Sequence, residues 1–222
     1  EVATDQAWEV GLSCGGEVHI LVEPLINIAE KVSYLLDNDA NTIKKLQSET
    51  KMIDGNFFTH EYKPALKMIV VGAVHISQGL VSMAKTLDID VILVDPRTAY
   101  ASEERFPDID FITSWPDEAL KKIGINASTA IVTLSHDPKL DDSALEIAVR
   151  SEAFYIAALG SLKTQKERKK RLKEKGFSED EIARIHGPAG LDIGALEPAE
   201  IALSILSELV STRRAENIKG IA

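Results

Sequence analysis

The sequence predicts an α/β protein in which a doubly wound parallel sheet follows a small α+β N-terminal region. Three observations carry this. Continuous apolar runs recur from residue 66 onward: "KMIVVG", "DVILVD", "DFITS", "TAIVTL" and "AFYIAAL". Strands this uniformly apolar are buried on both faces, as in parallel sheets. Segments with helical apolar spacing, among them "PDEALKKIG" and "DDSALEIAVR", lie between most of the runs and supply the crossovers that such a sheet needs. The first run ends in "VVGAVHISQGL", where Gly72 stands at the turn into a helix expected near Ile76–Leu87. A strand, a glycine turn and a helix in that order open a Rossmann-like dinucleotide-binding unit.

The elements can be justified in order. From Trp8 to Leu25, "WEVGLS" and "EVHILVEP" flank Cys14-Gly15-Gly16, and Val18, Ile20 and Val22 alternate with period two. This predicts a hairpin, with the glycines supplying the positive φ its turn requires. "LINIAEKVSYLL" sets Ile26, Ala29, Val32, Leu35 and Leu36 on one helical face. "DGNFFTHEYKP" breaks the periodicity and ends in proline, so it is read as a boundary. The chain thus divides into an N-terminal region, residues 1–55, and a Rossmann-like domain, residues 66–216. Because it starts at Glu1 without a methionine, the N-terminal region is expected to be partial. In the second domain Asp141 is expected to cap the helix after "SHDPKLDD". Pro198 fits the first turn of the last helix, and Ile201, Leu203, Ile205, Leu206 and Leu209 are expected to be mostly core. The glycine-rich loop before it is either a packing device or a wall of the site.

Composition narrows the function. The 222 residues are 45% hydrophobic, enough for a sizeable core. The 25 Lys and Arg against 35 Asp and Glu give a net charge of -10, which argues against broad nucleic-acid binding. No apolar run approaches a bilayer span and no signal pattern opens the chain. The lone Cys14 forbids an intrachain disulfide, and a cytoplasmic setting is expected.

Ligands of doubly wound sheets sit beyond the carboxyl ends of the strands, so the residues there are the candidates. After the first strand come Gly72 and His75, and after the second comes Asp95, 23 residues beyond Gly72. That spacing suits an acid that takes a ribose hydroxyl. After the fourth come His136 and Asp137, read either as an oriented general base or as turn chemistry before proline. After the fifth come Gly160 and Ser161, the latter placed to cap a helix. That helix, "SLKTQKERKKRLKEK", holds eight of the 25 basic residues. Most of it reads as a solvated face, with Lys163 kept as a ligand candidate. On the template G-x-G-x-x-G the positions are Gly72, Val74 and Ser77. Val74 stands where a glycine lets the backbone approach a pyrophosphate, so NAD(P) binding has reduced warrant. A metal site from His75, His136 and His186 is an alternative without metal-ligand spacing. Cys14, in its glycine turn, is either a small buried hydrophobe or an accessible thiolate able to meet molybdenum or sulfur.

Taken together, "DQAWEVGLSCGGEVHILVEPL", "VVGAVHISQGL", "VDPRTAYASEERFPD", "LSHDPKLDD", "YIAALGS" and "IHGPAGLDIGALEPAEIALSIL" resemble the XdhC/CoxI family, the xanthine dehydrogenase accessory factors. The resemblance implies a protein that binds the molybdenum cofactor, supports its sulfuration with a cysteine desulfurase and delivers it to an apo-molybdoenzyme. It places Cys14 on the family's Cys-Gly-Gly motif, as a candidate contact for the metal or its sulfur. It sets His75, His136, Asp137, Gly160 and His186 on motifs around the crevice. Family members carry a longer N-terminal half and commonly have glycine where Val74 stands. A homodimer is expected, since twofold dimers are the commonest oligomers. An NAD(P)-dependent oxidoreductase, with Asp95 on the ribose and His136 as acid/base, and a nucleotide-sensing domain are the other readings.

Overall fold

The computed structural model describes residues 31–37, 42–45, 57–61, 65–100 and 102–218. The chain divides into two compact units, Glu1–Lys63 and Pro64–Ala222. In the first, β1 (Lys31–Asp37), β2 (Thr42–Lys45) and β3 (Phe57–Glu61) form an antiparallel sheet in the order β2-β1-β3. The hairpin expected between Trp8 and Leu25 lies outside the described residues. The helix expected over "LINIAEKVSYLL" is corrected in its second half, because Val32, Leu35 and Leu36 lie in β1. Val32, Tyr34 and Leu36 also repeat with period two, and pairing on both edges of β1 favours the pleated form of an ambiguous apolar run. "DGNFFTHEYKP" contains β3, and the two units part just after it.

The second unit runs β4 (Lys67–Val71), α1 (His75–Lys85), β5 (Asp90–Val94), β6 (Asp110–Ile112), α2 (Pro116–Ile123) and β7 (Thr129–Thr133). It continues with α3 (Pro138–Ala148), β8 (Tyr155–Ala158), α4 (Leu162–Glu174), α5 (Glu179–Ala183), β9 (Ile185–His186) and α6 (Pro198–Ile218). The six strands are parallel, in the order β6-β5-β4-β7-β8-β9. This is the Rossmann order, with the direction of winding reversing between β4 and β7. The two-residue β9, just ahead of the glycine-rich loop, is not among the strands expected from the sequence.

Alternation along the central strands divides the core between two layers. Met68, Val70, Ala130 and Val132 pack with Leu80, Ala84, Ala202, Ile205 and Leu209 of α1 and α6. Ile69, Val71, Ile131 and Ile156 pack with Leu120, Leu145, Leu172 and Ile182 of α2, α3, α4 and α5. β7 and β8 are buried at every residue, which accounts for their apolar centres, with the threonines of β7 at its two ends. Leu203, expected in the core, is half-exposed on α6, because α6 turns only one stripe toward α1 and the sheet.

Ile131→Ala should therefore lower unfolding stability by about 2–5 kcal/mol, as for a fully enclosed side chain. Leu203→Ala should cost under about 1 kcal/mol. Denaturant midpoints of the two variants would check this, and equal losses would contradict the two-layer assignment.

Candidate functional site

The turns after β4, β5, β7 and β8 leave the sheet at its carboxyl edge carrying Gly72, Asp95, His136 and Gly160, and His186 is the last residue of β9 at the same edge. Gly72 sits at the switch point itself. Its φ is 107°, and a Cβ there would lie 2.8 Å from the backbone of Ser135, just after β7. The turns of β4 and β7 therefore touch, and only glycine fits between them. The buried Ser77 hydroxyl donates to the Gly72 carbonyl and accepts from the Val74 N–H at 3.3 Å. Val74 is the N-cap of α1 in extended conformation, and its side chain packs against the layer formed by α1 and α6. His75 is exposed at the first turn of α1.

Asp95 is fully buried, and both carboxylate oxygens are engaged. Oδ2 accepts from Ala73 N at 2.8 Å and Arg97 Nη2 at 2.7 Å, while Oδ1 accepts from Arg97 N and Nε, both at 2.9 Å. Desolvation pushes this carboxyl upward, but the Arg97 guanidinium and the two backbone donors outweigh it and hold Asp95 below its ordinary value. Four accepted bonds account for the lone pairs of a carboxylate. In this geometry Asp95 fastens the β5 turn to the Gly72 turn. Arg105 reinforces the junction, donating from Nη1 to the Ala73 carbonyl at 3.0 Å and the Tyr100 carbonyl at 2.6 Å.

Behind β7 and β8 lies a buried polar network that sequence reading missed. Asp141 Oδ1 accepts from Ser135 N at 3.1 Å and from Ser135 Oγ at 2.6 Å. Its other oxygen faces Arg168 Nη2 at 3.5 Å. Arg168 also donates to the Leu159 carbonyl at 3.1 Å and to Gln165 Oε1, and Gln165 Nε2 donates to the Ala158 carbonyl at 2.8 Å. Desolvation drives the Asp141 carboxyl up and the Arg168 guanidinium down, although each partner opposes the shift in the other. Asp141 is thus not the helix cap expected of it. Asp137 caps α3, accepting from Lys139 N at 2.9 Å, since the residue before Pro138 is already extended and one turn closer to the helix start. His136 is exposed, with φ of 61°, a conformation that histidine tolerates better than most residues.

Gly160 has φ of 136°, and Ser161 accepts from Thr164 N at 3.2 Å as the cap of α4. Lys163 is exposed in the first turn. His186 Nδ1 lies 3.0 Å from Glu208 Oε1, while Glu208 Oε2 accepts from Tyr155 OH at 2.7 Å and Gly190 N at 2.9 Å. Burial first, and the Glu208 carboxylate second, push the Tyr155 hydroxyl well above its usual range. Among the described residues no three His, Cys, Asp or Glu side chains are placed to hold a metal ion, so the three-histidine alternative does not form. Nor is any described helix long and apolar enough to cross a membrane. Cys14 lies outside the described residues. A groove of about 550 Å³ between α2, α3 and α4, with Trp115 at its rim, contains none of the candidates.

Strand order and the glycine turn after β4 define a Rossmann-type domain. The chain belongs to the XdhC family, whose Rossmann domain matches residues 68–209. A Bacillus subtilis (strain 168) relative, named as a "Probable xanthine dehydrogenase" component, is 30% identical over 160 residues, 72% of this chain and 46% of that protein. An Escherichia coli (strain K12) relative named "Molybdenum cofactor insertion chaperone PaoD" is 25% identical over 219 residues, 93% of this chain and 63% of that protein. A crystal structure described as a xanthine dehydrogenase from Bacillus halodurans is similar with a TM-score of 0.67 at 26% identity, covering 84% of this chain and 60% of that one. The chain therefore spans 46% and 63% of the lengths of these two curated relatives.

Two expectations follow from the geometry. Arg168→Ala should lower stability by about 3–5 kcal/mol, because it strands the Asp141 carboxylate in the interior; a loss below about 1 kcal/mol would show the network to be dispensable. The depressed Asp95 carboxyl stabilises the fold above its ordinary value of 3.8, and that contribution fades as pH falls through its lower folded value. Stability measured against pH should accordingly fall less steeply below 3.8 in Asp95→Asn than in the parent; parallel curves would refute the assignment.

Proposed function

We propose that this protein is an accessory chaperone that binds the molybdenum cofactor and helps to mature it for a molybdoenzyme. In the finer form of this reading it supports sulfuration together with a cysteine desulfurase. It then delivers the cofactor to an apo-enzyme of the xanthine-dehydrogenase or carbon-monoxide-dehydrogenase type, acting in the cytoplasm as a homodimer. The observation that carries the reading is membership of the XdhC family, joined to the likeness over 93% of the chain to a relative named for molybdenum cofactor insertion.

The chemistry of the carboxyl edge is compatible with such a cargo. A pterin that bears a phosphate needs polar partners for its ring edges and donors for its anionic end. Gly160 brings the backbone close to the capped N-terminus of α4, where Lys163 stands in solvent, and helix N-termini favour anions. His75, His136 and His186 add ring nitrogens along the same edge. The hydroxyls of Ser114, after β6, and Thr133, at the end of β7, are buried without a partner among the described residues. Cys14 is assigned contact with the metal or its sulfur through the family motif. The competing reading, an NAD(P)-dependent oxidoreductase, needs Asp95 free for a ribose, and its oxygens are already engaged.

The test is anaerobic incubation with freshly released molybdenum cofactor, followed by desalting and assay of bound molybdenum and pterin. Stoichiometric retention is expected for the parent chain, and weakened retention for Cys14→Ala. Full retention in the variant would remove the thiol from the site. Failure of the parent to retain either component would overturn the chaperone reading.

A further inference from the structure

Arg97 lies at the same edge, two residues beyond β5, and no role in the proposed function has been given to it. Its guanidinium approaches Asp95 side by side, Nε to one oxygen at 2.9 Å and Nη2 to the other at 2.7 Å. The ring of Tyr100 lies against the guanidinium face, with the carbon 4.6 Å from the ring centroid. The group is therefore held along one edge by a carboxylate and on one face by an aromatic ring. A guanidinium carries five N–H donors in one plane. The bonds to Asp95 use two of them, and the two on Nη1 and the second on Nη2 have no acceptor among the described residues. The side chain is 35% exposed, so the group is partly open to solvent at the carboxyl edge.

We propose that Arg97 recognises a phosphomonoester on the ligand of this crevice, and that Asp95 is its positioning residue rather than an acceptor for ribose hydroxyls. The inference rests on the proposed function in that it names the ligand group which that crevice binds. Its physical basis is complementarity. A vicinal diol seeks lone pairs, and those of Asp95 are used by Ala73 N and Arg97. A phosphate seeks several coplanar donors, and the free edge of a fixed guanidinium supplies them without ordering a loose side chain on binding. The position is registered to the glycine turn as well, because Asp95 also takes the Ala73 N–H.

The field alone does not explain the selectivity. Asp95 neutralises Arg97, and Asp137, across the switch point, lies within Coulombic reach of the same guanidinium. Arg105, which holds the Ala73 carbonyl, adds a second guanidinium to this corner. Donor geometry, not net charge, is what an incoming phosphate finds. Lysine at this position would keep the charge but lose the fork.

Two ligands could supply the phosphomonoester, a nucleotide with a ribose phosphate or the pterin cofactor with its own terminal phosphate. The test uses the whole chain, with direct binding of 2′-AMP against adenosine and of the fluorescent oxidised pterin of the cofactor with its phosphate intact or removed by phosphatase. For at least one pair the phosphorylated member is expected to bind more tightly, and the pair that responds identifies the source. Arg97→Ala and Arg97→Lys should each lose roughly tenfold or more of that preference, with little effect on the dephosphorylated member. Binding is measured well below the unfolding midpoint of each variant, which falls in Arg97→Ala because the buried Asp95 loses its partner. Equal binding of phosphorylated and unphosphorylated members by the parent would overturn the inference. So would undiminished phosphate preference in both variants, or tighter adenosine binding in Arg97→Ala, which would mean that Arg97 merely shields Asp95. If the parent fails to retain the intact cofactor, the chaperone reading falls, while the nucleotide pair still decides the role of Arg97.

Discussion

Arg168 sits almost wholly out of water and ties together the ends of β7 and β8. It holds the Leu159 carbonyl and the Gln165 side chain on one side and faces the Asp141 carboxylate on the other. Asp141 in turn holds the Ser135 backbone and hydroxyl, and Ser135 is the residue against which Gly72 is packed. Three turns of the crevice thus depend on one buried ion pair. Such a pair contributes little net stability over an apolar replacement. Its directional bonds do restrict how the turns can sit relative to one another.

The scaffold was legible in the sequence because its signals are redundant. β4, β5, β7 and β8 each have an apolar centre, and Gly72, Asp95, Ser135 and Gly160 stand within two residues of their carboxyl ends. β1 was not legible, since Val32, Leu35 and Leu36 fit a helical face while Val32, Tyr34 and Leu36 fit a strand, and only the partner strands decide. β9 escaped for a different reason: two residues carry no period. The site was half legible. Position after a strand was enough to bring Gly72, Asp95, His136 and Gly160 to the carboxyl edge, while His186 entered through the family resemblance. It could not find the partners that set their chemistry, because Arg168 lies inside a lysine-rich run that reads as solvent-facing, and Glu208 lies a whole crossover away from His186. A faint signal for the first existed, in that Gln165, Arg168 and Leu172 share one helical face opposite the adjacent Asp141 and Asp142.

The glycine template departs from its usual form in a consistent way. Ser77, in the third position, bonds back to the Gly72 carbonyl and takes the Val74 N–H, so one donor at the start of α1 is satisfied internally. Val74, in the second, joins the packed layer beneath α1 and α6. Together with the saturated carboxylate of Asp95, these changes keep the architecture of a dinucleotide fold while altering the groups offered to a ligand.

The six-stranded sheet also ends abruptly on both sides. Its outer members, β6 and β9, have only three and two residues, against five in the strands at the centre. Beyond β9 the chain meets Pro188, which has no amide hydrogen to offer. A stray extended segment arriving at either margin would find a docking ladder of one or two bonds, too brief to template growth of the sheet. The short outer strands of this sheet therefore leave an incoming chain little edge to extend.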